Sequence, residues 1–264
     1  MFKTNLMQAS KIHHITETAG CFQLLEYDRD ISVSPASAAT AYFAQEMNVR
    51  KRQVIASLDG KTGVTIQSGA MQMMIGQVEA ATNVKGAGDL VKKFVGSKVT
   101  GESAIKPQYV GEGLLILEPT YRYVLFEDLA RWNGNMVIED GLFLACENSV
   151  NLSVVARASV SSAVLGGEGL FSTALTGSGV AVLESPVPRE ELIEVELQDD
   201  TLKIDGSMAI VWSESLKFTV ERTTKTLIGS AASKEGLVNV YRGTGRVLIA
   251  PVAANFGIAT PESV

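Results

Sequence analysis

Apolar and polar residues alternate one for one over much of this chain. Val150, Leu152 and Val154 are separated by Asn151 and Ser153, Leu216, Phe218 and Val220 by Lys217 and Thr219, and Ile193, Val195 and Leu197 by Glu194 and Glu196. A period of two puts successive side chains on opposite faces of an extended backbone, so each segment predicts a strand with one face on a core and one in water. The first two segments are also related to each other, at a displacement of 66 positions.

Turn residues recur at the same displacement. Gly111 and Gly113, Gly177 and Gly179, and Gly243 and Gly245 stand 66 positions apart, and each pair opens an apolar run at 114–117, 180–183 or 247–249. Asp140-Gly141 precedes the apolar segment 142–144, and Asp205-Gly206 precedes 208–210. Asp-Gly supplies the positive φ that a tight hairpin needs. Residues 66–69 read as a more divergent copy of that turn. A third recurring piece is Gly101-Glu102, Gly167-Glu168-Gly169 and Glu235-Gly236, where the glutamates follow at intervals of 66 and 67.

What repeats is therefore a set of turns and core strands. The expected fold is all-β, three tandem β-sandwich-like repeats in one compact unit, at 45–105 (the most divergent), 106–172 and 173–252. Residues 1–44 form an N-terminal extension and 253–264 a C-terminal tail. Within this frame, residues 34–39 read as a loop and 42–47 as a strand leading into the first repeat. Leu90, Val91, Phe94 and Val95 could share one face of a two-turn helix over 89–95, between Gly88 and Gly96.

The formal charge of −6 disfavours a partner held mainly through its phosphates, so nucleic acid is not expected. The basic clusters Arg50-Lys51-Arg52, Lys92-Lys93 with Lys98, and Arg222 with Lys225 read as solvated edges of strands and loops. No apolar run approaches the roughly 20 residues of a membrane-spanning helix. The first residues lack the basic and apolar regions of a secretory leader, and Cys21 and Cys146 are too few for a disulfide framework. A soluble protein of the reducing cytoplasm is the expectation.

Candidate chemistry is thin. His13 and His14 are the only histidines, and they lie outside the repeats, so a Ser-His-Asp or Cys-His arrangement would require that segment to fold back. No Gly-x-Ser-x-Gly elbow is present. The Gly-x-Gly pairs lack the third glycine of a dinucleotide site and are followed by strands rather than by a helix N-terminus. Glu139, Asp140 and Asp205 read as turn chemistry, Cys146 as a small buried hydrophobe, and Met71 and Met73 as core filler. Glu102, Glu168 and Glu235 are read as acceptors for backbone amides freed at the adjacent glycines. The sharper alternative is a carboxylate ring holding a hard cation. No catalytic, cofactor or metal residue is assigned.

Taken together, Gly-Glu-Gly before one strand, Gly-x-Gly before the next and Asp-Gly before a third resemble the altered-inheritance-of-mitochondria protein 24 family. The likeness spans 45–252 and is most specific at 166–171 through 177–179 and at 235–237 through 243–247. It departs at 58–61 and at Ser103, which stands in place of glycine. The resemblance implies units similar to the tryptophan RNA-binding attenuation protein, assembly as a trimer, no assigned enzymatic activity and no catalytic residues to carry over. The expected function is a non-catalytic, oligomeric scaffold or interaction protein, with an unidentified protein or small-molecule partner. The alternative is a ring that binds a small ligand or, less favoured for want of a basic track and aromatic platforms, RNA.

Overall fold

The structure, a computed structural model, describes residues 2–81, 106–156, 171–206, 208–222 and 237–251. In chain order its strands begin with β1 (His13–Ala19), β2 (Phe22–Tyr27), β3 (Arg52–Asp59), β4 (Val64–Ile66), β5 (Met71–Ala81) and β6 (Gln108–Leu117). They continue with β7 (Tyr123–Asp128), β8 (Asn135–Ile138), β9 (Phe143–Glu147), β10 (Val150–Ala156) and β11 (Phe171–Gly177). The last are β12 (Val180–Ser185), β13 (Ile193–Ile204), β14 (Ala209–Ser213), β15 (Lys217–Arg222) and β16 (Leu237–Ile249). The fold is nearly all β, as the alternation requires.

Two antiparallel sheets result. One runs β1-β2-β3-β6-β4-β9-β12-β7 with β5 against β6, the other β10-β11-β8-β14-β16-β13 with β15 against β16. Each is organised by a long central ladder. Along β6, β5 pairs with the whole strand on one side, while β3 takes Glu112 to Ile116 and β4 takes Gln108 and Tyr109 on the other. β16 is held in the same way, by β13 along one side and by β15 and then β14 along the other. Side chains from both sheets close the principal core, with Leu125, Met136, Phe143, Cys146, Leu183 and Leu248 among its buried members.

The Gly-x-Gly pairs are not all strand openers. Gly111-Gly113 and Gly243-Gly245 lie inside β6 and β16, and only Gly177-Gly179 sits at a break, between β11 and β12. The physical reason is a change of partner within one strand. Between Tyr109 and Glu112 the neighbour of β6 switches from β4 to β3, and the backbone must bend there. Gly111 bends at φ 118°, and a Cβ on it would collide with the carbonyl oxygen of Gln77 on β5.

Two further expectations are corrected. Residues 42–46 are helical and Met47 caps them: α1 spans Ala38–Glu46 and is the one α-helix among the described residues. Its alanines and its Gln45-Glu46 end favour helix over strand. It closes in a Schellman motif, with Asn48 at φ 61°, Asn48 N–H donating to Gln45 O and Val49 N–H to Ala44 O. Met71 does pack against the core, but Met73, on β5, which pairs only with β6 among the described residues, is 40% exposed. The N-terminal segment itself contributes core: β2 pairs with β3, and its Phe22 and Leu25 are fully buried.

Candidate functional site

Asp140-Gly141 and Asp205-Gly206 form the turns entering β9 and β14, with φ of 79° and 69° at the glycines. Gly111, Gly113, Gly177, Gly179 and Gly243 also adopt positive φ. Gly101, Glu102, Gly167, Glu168, Gly169, Glu235 and Gly236 lie outside the described residues, as does the segment 89–95 read as a helix.

The acid that organises the described backbone is one the sequence did not single out. Glu147, at the end of β9, accepts hydrogen bonds from the main-chain amides of Cys21 and Val180, each at 3.0 Å. Both follow glycines, Gly20 and Gly179, whose missing side chains leave room for the carboxylate. The neighbouring Asn148 accepts from the hydroxyl of Thr65 at 3.1 Å. The β1–β2 turn, β4 and the β11–β12 turn are thus tied to one corner. Burial pushes the Cys21 thiol up to about 12, and the nearby Glu147 carboxylate adds to the effect.

A second carboxylate, Glu127 on β7, is fully buried, accepts from the indole nitrogen of Trp132 at 3.0 Å and pairs with Arg189. Glu17 on β1 faces the same group, and burial raises its carboxyl above the ordinary range despite the Arg189 guanidinium. A third cluster centres on Arg52, 3% exposed, which donates to Glu26 at 3.1 Å and to the Asn48 side chain at 2.8 Å, with the Tyr123 ring 4.5 Å away. The reading of Arg50-Lys51-Arg52 as a solvated edge is therefore wrong at Arg52. A guanidinium is buried when every face finds an acceptor or a ring, and these partners come from β2, the end of α1 and β7.

Ser10 Oγ lies 3.4 Å from His13 Nδ1, whereas the acid pairs with the other histidine, Asp28 Oδ2 with His14 Nδ1 at 2.8 Å. Cys146 is buried, as expected, and burial pushes its thiol up to about 12, which favours the neutral thiol. Among the described residues no three His, Cys, Asp or Glu side chains converge as metal ligands.

Part of the described surface is apolar. α1 buries none of its residues; Tyr42 and Phe43 on it and Met47 at its end are exposed, as is Ile31. The outer edges of β5 and β13 carry no neighbouring strand among the described residues.

A family model described as mitochondrial biogenesis AIM24 matches residues 45–252, most of the chain. The chain belongs to the AIM24 family. A crystal structure of a Streptococcus pyogenes protein, determined as a structural-genomics target, is similar, with 26% identity and a TM-score of 0.57, over 78% of this chain and 90% of that one. No curated protein matches. No helix among the described residues is long and apolar enough to cross a membrane.

Proposed function

We propose that this AIM24-family chain is a non-catalytic β scaffold built from three copies of one strand unit, of the tryptophan RNA-binding attenuation protein kind. It acts in the cytoplasm as a homotrimer that presents surfaces to protein partners.

The observation that carries this reading is the recurrence of ladder registers. Cys146 pairs with Ala181, and 66 positions later Trp212 pairs with Val247. Asn151 pairs with Thr176, and again 66 positions later Lys217 pairs with Arg242. In the first unit the single strand β5 takes the place of both β9-β10 and β14-β15, running along the whole of β6. Support for a non-catalytic role comes from the clusters of Glu147, Glu127 and Arg52, each of which is occupied by main-chain amides, a guanidinium or a carboxylate.

Native mass spectrometry of protein purified without added ligand tests the scaffold reading. The expected spectrum is an oligomer whose mass equals a whole number of bare chains. A stoichiometric small molecule retained on each chain would replace the scaffold with a ligand-binding ring, and retained RNA would replace it with an RNA-binding one.

A further inference from the structure

Among the described residues the chain builds one kind of strand junction twice, and a half of it stands unpaired on β5 and another on β13. In the first junction β4 lies beside β9, with Thr65 opposite Cys146. In the second β8 lies beside β14, with Val137 opposite Trp212. The two are the same junction by register. Thr65 is opposite Gln108 of β6, Val137 is opposite Ala174 of β11, and Gln108 and Ala174 are 66 positions apart. On the other side, Cys146 and Trp212 are themselves 66 apart.

Carrying the register one step further names the unused halves. The residue of β13 that stands where Val137 stands in β8 is Lys203, opposite Val240 of β16, 66 positions beyond Ala174. The residue of β5 that stands where Trp212 stands in β14 is Met74, because Trp212 is opposite Val247 and Met74 is opposite Leu115, 132 positions earlier. Among the described residues β13 pairs only with β16 and β5 only with β6, and the two belong to different sheets. Residues of the filled junctions are buried, Thr65 at 4%, Cys146 at 0%, Val137 at 5% and Trp212 at 3%, whereas Met73 and Met74 are 40% and 41% exposed.

We propose that these edges join between copies: β13 of one chain adds antiparallel to β5 of the next, with Lys203 opposite Met74. The occupant of each edge is a second copy of this chain, and the inference rests on the oligomeric reading above. The register sets Leu202 against Ile75 and Ile204 against Met73, apolar against apolar on one face, while the Lys203 stem lies along Met74 on the other. Ile204 belongs to one core cluster and Leu202 borders it, while Ile75 borders another, so pairing brings the two together. An unpaired edge carrying Met-Met-Ile is a site for strand addition, and this contact removes it. Because the two surfaces differ, the contact is head to tail, and it yields a ring where the rotation closes.

Disulfide trapping tests the register. Met74→Cys and Lys203→Cys are made separately in a Cys21→Ser background, mixed, and oxidised, with Ile75→Cys plus Lys203→Cys as the out-of-register control. The expected result is a linked pair of chains in the first mixture, several-fold more abundant than in the control. If the chain is oligomeric by light scattering but the first mixture links no better than the control, this junction is wrong and the oligomeric reading stands. A monomer by light scattering overturns both. A Met74→Cys/Lys203→Cys double variant that links only within single chains also overturns the proposal, because the junction then closes inside one molecule.

Discussion

Glu147 Oε2 lies 3.0 Å from the main-chain nitrogen of Val180, while its other carboxylate oxygen holds the amide of Cys21 at the same distance. One side chain at the end of β9 thereby anchors the β1–β2 turn to the β11–β12 turn, more than a hundred residues apart in sequence. Hydrogen bonds to a charged acceptor contribute about 1.5–3 kcal/mol each. Glu147→Ala should therefore cost about 3–6 kcal/mol in chemical denaturation, and Glu147→Gln less, since one acceptor oxygen remains.

The bend of β6 gives a second expectation. Alanine at Gly111 would need positive φ and would also press its Cβ into the Gln77 carbonyl. Gly60, at φ 81°, has nothing within 4 Å of the same position and isolates the backbone cost alone. Gly60→Ala should lose about 1 kcal/mol and Gly111→Ala about 2–3 kcal/mol, read from the midpoints of urea unfolding.

Removing the guanidinium of Arg52 should be among the costliest single changes in the N-terminal region. Glu26 Oε2 and the Asn48 carbonyl would lose this donor in a nearly closed space while Arg50 still holds Glu26 Oε1, so the loss should fall toward the lower end of the about 3–5 kcal/mol for breaking a buried pair from one side. Arg52→Lys should recover only part of this, because one ammonium cannot reach Glu26 and Asn48 while lying on the Tyr123 ring. Thermal unfolding of the two variants checks the order.

These results mark where the sequence was legible. Alternation at 150–154 and 216–220 identified β10 and β15 because one face of each carries apolar residues at every second position, and Asp140-Gly141 and Asp205-Gly206 marked turns because only certain residues fit them. Glu147 and Arg52 were not legible, since their roles depend on partners brought near by pairing across distant strands. Residues 42–47 misled because Tyr, Ala and Met suit either a strand or one face of a short helix. The deciding signals, the alanines of 38–44 and Asn48 at positive φ, act locally. The free edges of β5 and β13 follow only from the order of strands in the sheets.

Alkaline pH should weaken the fold through its thiols. Burial holds Cys146 at about 12 when folded against an ordinary value of 9.0, so the unfolded chain releases that proton first as pH rises. Stability is then unaffected below about pH 9 and falls between there and the folded value. Cys146→Ala should flatten that decline in pH-dependent urea unfolding, and at pH 8 the native thiol should react with a disulfide reagent only as fast as the chain opens.

Strand units joined edge to edge, within the chain and between chains, make a prediction about mass. Light scattering on the purified protein should give three times the 28.1 kDa of one chain, unchanged on dilution through the micromolar range. A steady value of one chain mass across that range would contradict the account.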